Sequence, residues 1–364
     1  MKPAAGGFRV AVIGSASLLG KELLAVLRER HFPVATLITP DALDEAEPDL
    51  PVLDLSGGGE AGIPEANVSE ADVDFAFLAG PLRAGAQKAA SEAGALPFLQ
   101  SAQQLAAATH CKVIDLRQCL AGESGGVLSI PSLDQHAGAR GGHEAGMASR
   151  FFISAHPSTI LLSTILLRLA SRVDVKSAVA QVFGAVSEIG AQAIEELQKQ
   201  TSNLLSFQKI PQSVFGAQLA FNLLPRLGRG RKAAAADLES RVQKELANYL
   251  GQRLPLPALR FIHAPVFHSM ACSLYVELVL PATPEALAQA LAGGPIHIRK
   301  GSEQPPSQVE ASGSSEILVD AITADAAHPA GVWIWAVADN LRLAAANAVE
   351  IAERLRGEQP PQVH

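Results

Sequence analysis

The chain has 364 residues, 48% of them apolar, with 29 basic and 36 acidic side chains that leave a formal charge of −7. This apolar content is enough for the cores of two ordinary domains and excludes a mainly disordered chain. The two signs of charge are interspersed without long runs, which excludes a basic surface for nucleic acid or anionic lipid.

The first third of the chain alternates extended and helical patterns. The apolar run 8–13 predicts a strand, residues 14–20 a turn, and residues 21–30 a helix with leucines at helical spacing. Further predicted elements are strands at residues 34–38, 73–78, 96–99 and 112–116 and an alanine-rich helix at residues 84–93. This alternation predicts an α/β fold with a Rossmann-type, doubly wound parallel sheet.

A second domain is predicted after the glycine-rich loop 136–147, with a strand at 151–155 and a long apolar helix beginning at Pro157. The pattern beyond it predicts half-exposed strands at 175–187 and 272–281 and amphipathic helices at 190–204 and 236–250. These elements predict an α+β domain with a mixed or antiparallel sheet and helices on one face. The rest of the chain is predicted as a loop at 301–316 and a final helix at 340–355.

The cysteine content and the hydropathy of the chain indicate the cellular compartment in which the protein resides. Three cysteines, Cys111, Cys119 and Cys272, are an odd number in a long chain and favour a reducing compartment over a disulfide framework. The most apolar segment, residues 158–170, is shorter than a bilayer span and contains polar residues. The first residues lead into a strand without the apolar core of a signal peptide. We therefore expect a cytoplasmic protein without a transmembrane helix.

The turn after the first strand carries a partial dinucleotide-binding signature. It reads Gly14, Ser15, Ala16, Ser17, Leu18, Leu19, Gly20. The turn keeps the outer glycines of a G-x-x-G-x-x-G loop, and Ser17 stands at the middle position. A pyrophosphate needs backbone N–H groups at a helix N-terminus and no bulky side chain in its way, so Ser17 narrows that approach. The turn predicts nucleotide binding, and an ordinary tight strand-to-helix turn is the alternative.

The segment after the second predicted strand is acidic. It contains Asp41, Asp44, Glu45 and Glu47, and no lysine or arginine stands between Thr36 and Pro81. A 2′-phosphate would be repelled here, whereas a carboxylate such as Asp41 accepts a hydrogen bond from a free ribose hydroxyl. The pattern favours NAD over NADP as the cofactor, and a solvated acidic loop is the alternative.

Five segments resemble the aspartate-semialdehyde dehydrogenase family, in order along nearly the whole chain. They are GSASLLGKELLAVLRERHFPV, LAGPLRAGAQKAASEAG, AVSEIGAQAIEELQKQT, AFNLLP and VADNLRLAAANAVEIAE. The resemblance implies a dinucleotide-binding domain, residues 1–150 with 334–364, and a substrate and dimerisation domain, residues 151–333. It also implies a homodimer and an NADPH-dependent reduction of an acyl phosphate to a semialdehyde through a cysteine thioester. The implied cofactor contacts are the turn 14–20, Asp41, Gly80 and Asn340, the last near the nicotinamide.

The catalytic positions of the family carry other residues in this chain. The family's cysteine stands in N-x-N-C-[ST]-T at a helix start, and the matching text S-A-H-P-S-T-I has Pro157 there. The text H-A-P-V-F-H-S-M-A resembles R-V-P-V-F-x-G-H-S, so Met270 replaces the catalytic histidine and His263 the substrate-binding arginine. Because proline has neither a nucleophile nor a backbone N–H, the resemblance implies loss of the thioester chemistry. The alternative is an ordinary proline in the first helical turn.

Two charged residues keep the signs of the family's substrate contacts. In L-E-S-R-V-Q-K-E-L, Glu239 and Arg241 match a helix that supplies acidic and lysine side chains to the substrate, and solvated helix charges are the alternative. The family's other anion-binding arginine falls near Ala121, with Arg117 as a displaced substitute.

Replacement catalytic groups are conceivable at three places. Cys272 and His268 each lie two residues from Met270 on the predicted strand and so on its face, although a buried cysteine and a partly buried histidine are the commoner outcome. His156 with Ser154 or Ser158 lacks an evident orienting acid.

A metal site is not expected. His263 and His268 are five residues apart and fall on opposite faces of the predicted strand, so they do not form a set with Cys272.

Three hypotheses about function remain open. The chain is a catalytically silent or repurposed dinucleotide-binding homodimer, or an oxidoreductase acting on a related semialdehyde by a non-standard mechanism, or a structural partner of an active paralogue.

Overall fold

The computed structural model describes residues 7–39, 73–80, 111–117, 126–134, 149–228, 232–251, 253–299 and 304–357. The predicted strand 96–99, the predicted helix 84–93, the loop 136–147 and the acidic residues from Asp41 to Glu47 lie outside them. The chain divides into two compact units, Met1–Ala155 with Ala344–His364, and His156–Leu343.

The first unit contains a six-stranded sheet with the spatial order β2-β1-β3-β4-β6-β5, in which every pairing is parallel. This confirms the predicted Rossmann-type sheet. The strands are β1 (Phe8–Ile13), β2 (Val34–Ile38), β3 (Phe75–Leu78), β4 (Lys112–Asp115), β5 (Gly126–Ser129) and β6 (Phe151–Ser154). The described helices are α1 (Leu18–Glu29), α2 (Pro131–Asp134) and most of the C-terminal helix α8 (Asn340–Gly357).

Two side chains of α8 attach it to the first sheet. The amide nitrogen of Asn347 donates to the carbonyl of Ser129 at 3.0 Å and to the hydroxyl of Ser154 at 2.9 Å. Arg354, about two helical turns further along, forms an ion pair with Asp134 of α2. Buried polar groups that satisfy each other in this way fix the helix on the sheet.

The second unit contains a mixed six-stranded sheet with the order β10-β11-β12-β9-β7-β8. The two outer pairings are parallel and the three inner ones antiparallel, which confirms the predicted α+β class. Its strands are β7 (Val175–Gly184), β8 (Ala258–His263), β9 (Met270–Leu278), β10 (Ile296–Ile298), β11 (Ile317–Ala324) and β12 (Gly331–Ala338). Its helices are α3 (Pro157–Ala170), α4 (Ala191–Leu205), α5 (Lys232–Leu250), α6 (Pro284–Leu291) and α7 (Gln308–Ala311).

Helix α3 is central to this unit and packs against α5, α6 and β7. It is apolar on almost every side, which is typical of a fully buried helix, and its buried side chains include Ile160, Leu161, Leu162, Ile165, Leu166 and Leu169. Along β9, alternate side chains from Cys272 to Leu278 are buried, whereas Tyr275 and Glu277 between them are half-buried. One face of the sheet is therefore covered within the unit, and the other is partly open.

The unit boundaries differ from the predicted domain boundaries. Strand β6 pairs with β4 and β5, so a boundary between residues 150 and 151 would separate it from its own sheet. Strand β12 pairs with β9 and β11, so a boundary between residues 333 and 334 would cut through it. These pairings keep β6 in the first unit and β12 in the second. The boundaries of the units accordingly lie between residues 155 and 156 and between residues 343 and 344. The roles assigned to the two domains stay predictions.

Two elements depart from the predicted pattern. Strand β7 ends at Gly184, and Val186–Glu188 forms a short 3₁₀ helix where the strand was expected to continue. Helix α7 lies inside the predicted loop 301–316 because Ser307 caps its first turn, with the hydroxyl accepting from the N–H of Glu310 at 3.3 Å. Among the described helices, none has the length and apolarity needed to cross a bilayer.

The segment after α4 has no regular structure between Ser206 and Gly228, yet it is anchored to the helix by a buried carboxylate. Glu196, which is 3% exposed, accepts hydrogen bonds from the Ser213 hydroxyl at 2.6 Å and from the N–H groups of Val214 and Phe215 at 2.7 and 2.9 Å. Burial opposes ionisation of this carboxyl group, but these hydrogen bonds outweigh it and lower its pKa.

We predict that Glu196→Gln lowers the free energy of unfolding by about 1 to 3 kcal/mol, because an amide N–H₂ would face backbone donors. The folded pKa lies below the unfolded one, so this stabilisation is complete above the unfolded pKa and is lost as the pH falls through the folded pKa. Urea unfolding at neutral and acidic pH measures both effects. Glu195→Gln, one residue away and exposed, is the matched control; equal stability of the two variants at neutral pH would contradict the prediction.

Candidate functional site

The predicted nucleotide turn has the compact geometry of a strand-to-helix turn. Gly14 has a φ of 79°, and a Cβ there would overlap Gly80, two residues after the end of the neighbouring strand β3. A Cβ on Gly20 would overlap the carbonyl of Gly14. Both glycines and Gly80 are therefore required by close backbone approach.

Ser17 is the N-cap of α1. Its hydroxyl accepts from the N–H of Gly20 at 3.0 Å and donates to the carbonyl of Ala79 at 3.2 Å. The side chain that stands at the middle position of the loop thus binds its own helix rather than projecting freely. The N–H of Ser17 donates to the carbonyl of Gly14 at 3.0 Å, and the N–H of Gly80 donates to the carbonyl of Ile13 at 3.1 Å. A pyrophosphate site at the start of this twelve-residue helix, beside these small residues, stays a prediction.

The start of helix α3 is closed by the chain's own groups. Pro157 is at the first helical position and has no N–H. The Nδ1 atom of His156, the N-cap, accepts from the N–H of Ser158 at 3.2 Å, and the His156 carbonyl accepts from Ile160 at 3.0 Å. The N–H groups of Ser158 and Ile160 are thereby engaged within the protein.

Two glutamates hold His156 from different sides. Nε2 of its ring lies 2.9 Å from Oε1 of Glu188, in the 3₁₀ helix after β7. Oε2 of Glu245, on α5, accepts from the backbone N–H of His156 at 2.8 Å and from the hydroxyl of Thr159 at 2.6 Å. Because Nδ1 accepts a hydrogen bond, Nε2 carries the ring proton and donates a hydrogen bond to Oε1 of Glu188.

This arrangement corrects the expectation that no acid orients His156. The Glu188 carboxylate is such an acid, but no Ser–His pair results. The Ser158 hydroxyl donates to the sulfur of Met270 at 3.5 Å, and the Ser154 hydroxyl belongs to the network of α8 in the first unit. The contact between Ser158 and Met270 does bring the two segments of the family's catalytic text together.

Two further expectations about this strand are corrected or refined. His268 is exposed and lies in a bend, because β9 begins only at Met270 and Ser269 before it has a φ of 67°; strand alternation therefore does not apply to it. Cys272 is on the covered side of the sheet at 0% exposure, and this burial raises the pKa of its thiol to about 12. Among the described residues, no group of three or more metal-binding side chains is placed to hold a metal ion.

His263 ends β8 beside Gly184, its register partner on β7. Its Nε2 atom is buried and has no hydrogen-bond partner. Burial lowers the pKa of this imidazole, and the negative charge of Glu188 partly opposes the shift. At neutral pH the ring is therefore neutral.

Asn340 is buried at the start of α8. Its side-chain oxygen accepts from the Ser187 hydroxyl at 3.2 Å and from the N–H of Ser269 at 3.1 Å. The residue thus connects the 3₁₀ helix to the turn before β9. A role near a nicotinamide stays a prediction.

The two charged residues predicted on α5 do not reach the start of α3, and the roles assigned to them stay predictions. Glu239 accepts from the backbone N–H of Phe261 at 2.9 Å and lies 3.8 Å from Arg260, so it attaches α5 to β8. Arg241 is half-buried. Glu245 is the residue that reaches the start of α3. Its spacing from Val242, Leu246 and Tyr249 on the buried stripe is the sequence signal that identifies it.

We predict that His156→Ala lowers the free energy of unfolding by about 1 to 2 kcal/mol, because Ser158 loses its N-cap acceptor and Glu188 its donor. His156→Asn is the control, since asparagine caps helices well and keeps the first of these contacts. Thermal unfolding of the three proteins measures the difference. Destabilisation by His156→Asn as large as that by His156→Ala would show that the cap contributes nothing.

Comparison with known proteins gives a consistent result. Residues 166–343 match the family model described as semialdehyde dehydrogenase, dimerisation domain. A USG-1 protein homolog of Pseudomonas aeruginosa is 29% identical over 351 residues, 95% of this chain and 97% of that protein. An aspartate-semialdehyde dehydrogenase of Shewanella sp. strain DB6705 is 28% identical over 353 residues, 96% and 97% of the two chains.

The crystal structure of aspartate semialdehyde dehydrogenase II from Vibrio cholerae, complexed with ASA, has the same fold, with a TM-score of 0.77. The two sequences are 24% identical, and the match covers 97% of this chain and 99% of that one. The parallel sheet and the mixed sheet agree with these similarities: residues 166–343 match the semialdehyde dehydrogenase dimerisation domain, and almost the whole chain is similar to aspartate-semialdehyde dehydrogenases in sequence and fold.

Proposed function

We propose that this chain is a dinucleotide-binding homodimer that does not carry out thioester chemistry. The observation that carries the proposal is the start of α3, where Pro157 and the cap made by His156 stand at the position that the family resemblance assigns to the nucleophile. A thioester reaction requires a thiolate there and donors for the oxyanion that forms on the acyl group.

Both requirements are unmet at this position. Pro157 supplies neither a sulfur atom nor an N–H group. The next N–H, on Ser158, is bound to Nδ1 of His156, and the N–H of His156 itself is bound to Glu245. An incoming acyl oxygen would have to displace these internal contacts before receiving a hydrogen bond.

The described thiols do not compensate. Cys272 is fully buried in the second sheet, and the pKa of about 12 keeps it protonated at physiological pH. Cys111 is fully buried in the first unit. Met270, at the position of the family's catalytic histidine, has no proton to transfer and cannot act there as a general acid or base.

The turn at Gly14 to Gly20 supports dinucleotide binding. The N-terminus of α1 would hold the pyrophosphate, and the small residues of the turn and Gly80 would leave room for it. A bound dinucleotide supplies hydride transfer, and the acidic segment with Asp41 favours NAD over NADP. Because Ser17 already caps the helix through its hydroxyl, its side chain adds no donor to the phosphate.

The open face of the second sheet supports a homodimer. Val179, Tyr275 and Trp333 lie in one row across β7, β9 and β12, and the rings of Tyr275 and Trp333 are 4.9 Å apart. Val179 and Trp333 are each 42% exposed. An aromatic row of this kind, flanked by the Lys176–Glu277 ion pair, is typical of a protein interface.

We predict that the protein binds NAD but does not reduce it in the presence of phosphate and aspartate semialdehyde. Calorimetric titration with NAD and NADP measures binding, and absorbance of the reduced nucleotide measures turnover. Gly14→Ala is expected to abolish binding, because its Cβ would overlap Gly80. Gly357→Ala, which meets no atom within 4 Å, is the control.

An active aspartate-semialdehyde dehydrogenase assayed in parallel validates the substrate. Phosphate-dependent reduction by this protein would overturn the loss of thioester chemistry, and Cys272→Ala would then show whether the buried thiol is responsible. Absence of NAD and NADP binding at millimolar concentration would remove the dinucleotide part of the proposal.

We predict that Trp333→Arg weakens the dimer by about tenfold or more, because it places a charge in the middle of a desolvated aromatic row. Sedimentation velocity over a range of concentrations measures the effect. Gln289→Arg, an exposed position on α6 away from this row, is the control. A monomeric wild-type protein, or a dimer insensitive to Trp333→Arg, would contradict the assignment of this face.

A further inference from the structure

A groove in the second unit lies where helix α3 ends. It is bordered by residues 170–174, which lead from α3 to β7, and by residues 280–282, which lead from β9 to α6. Its volume is about 360 Å³. This volume is within the range of about 300 to 1,000 Å³ that is typical of small-molecule sites. The N–H of Val279 donates to the carbonyl of Asp174 at 2.9 Å and joins the two bordering segments.

The groove is bordered by one residue of each charge. Arg172 and Asp174 are both exposed, and neither makes an ion pair or a side-chain hydrogen bond with another described residue. Arg168, one turn earlier on α3, is engaged elsewhere, because its guanidinium donates to the carbonyls of Leu291 and Ala292 at 3.4 and 3.0 Å. The groove thus offers a guanidinium for an anion and a carboxylate for a cation.

The end of α3 adds partial negative charge at the same place. The helix has 14 residues, and the carbonyl groups of Ala170, Ser171 and Arg172 accept no hydrogen bond from a described residue. Unpaired carbonyl groups at the C-terminus of a helix attract a cation. The Ser171 hydroxyl donates to the carbonyl of Arg168 at 2.7 Å, so its oxygen is available only as an acceptor. An ammonium group is therefore favoured at this end of the groove.

The other segment of the groove is apolar. Leu280 is 75% exposed, and Pro281 beside it is also exposed. Val173, on the segment that follows α3, is half-buried. An aliphatic group bound here would remove apolar surface from water, which is favourable.

A ligand with a single charge does not match these groups. A phosphate or a carboxylate alone would be repelled by Asp174 and by the helix end, and an amine or a metal ion alone would be repelled by Arg172. A zwitterion satisfies both signs of charge. The Cα atoms of residues 172 and 174 are at most about 7 Å apart, so one small molecule can contact both residues.

We propose that the groove at the end of α3 binds a free α-amino acid with an aliphatic side chain. Its carboxylate binds Arg172, its ammonium group binds Asp174 and the end of the helix, and its side chain packs against Leu280 and Pro281. This inference goes beyond the proposed function and does not depend on it, because it requires neither a nucleotide nor the face that carries Trp333.

The test uses the full chain with ¹³C-labelled leucine methyl groups and unlabelled L-leucine as the probe, followed by ¹H–¹³C NMR at neutral pH. The methyl signals of Leu280 are assigned by their disappearance in Leu280→Met. Three analogues each lack one part of the probe: 3-methylbutylamine has no carboxylate, 4-methylpentanoate has no ammonium group, and glycine has no aliphatic side chain. All are compared at equal ionic strength.

We expect a saturable shift of the Leu280 signals with L-leucine and binding of each analogue that is weaker by about fivefold or more. Arg172→Gln and Asp174→Asn are each expected to weaken the binding of L-leucine by about threefold to tenfold, because a charge-assisted hydrogen bond is lost at an exposed site. Arg226→Gln and Glu316→Gln, at exposed positions outside the groove, are the matched controls and are expected to leave it unchanged.

Thermal unfolding checks that the variants fold, which is expected because all four positions are exposed. The absence of a saturable shift with L-leucine would overturn the proposal. Equal affinity for any of the three analogues, or wild-type affinity in Arg172→Gln or Asp174→Asn, would overturn it as well.

Discussion

The backbone at residues 156–158 is the constraint on which the rest of the second unit's chemistry depends. A helix start normally offers several unpaired N–H groups to a ligand. Here proline removes one of them, the side chain of His156 engages the following N–H, on Ser158, and Glu245 engages the preceding N–H, on His156. A helix that begins in this way is well capped and stable, and for the same reason it has little to offer an anion. Stability and anion binding compete for the same donors.

The buried carboxylates of this unit divide into two kinds according to how completely they are satisfied. Glu196 uses both oxygens to anchor an irregular segment, and the hydrogen bonds lower its pKa in spite of burial. Glu245 uses only one oxygen. The first pattern is that of a structural residue, since nothing is left for a ligand. The second leaves an unsatisfied acceptor, which is the pattern expected of a binding site.

Much of the fold is predictable from the sequence, because the spacing of apolar residues indicates which side chains of a helix or strand are buried. The strand, turn and helix from Phe8 to Glu29 and the buried helix after Pro157 have strong local patterns. The domain boundaries were less predictable, because only hydrogen bonds between distant strands show that β6 and β12 belong to different sheets. His268 shows the same limit at one residue: a positive φ at Ser269 ends the alternation on which its placement was based.

The sequence indicates which residues stand at the family's motif positions, but not which side chains the fold brings beside them. Pro157 and Met270 can be assigned to positions of a family motif from the sequence alone, because the motif has a fixed spacing. Glu188 and Glu245 are far from His156 in sequence, on separate elements, and only the folded chain brings them to its two sides. The absence of a side chain at Gly184 leaves room for the Glu188 carboxylate, because a Cβ there would crowd the carboxylate that His156 holds. The helix start at Pro157, the capping imidazole of His156 and the Glu188 carboxylate thus form one connected arrangement, in which a change at one position is expected to alter the hydrogen bonds of the others.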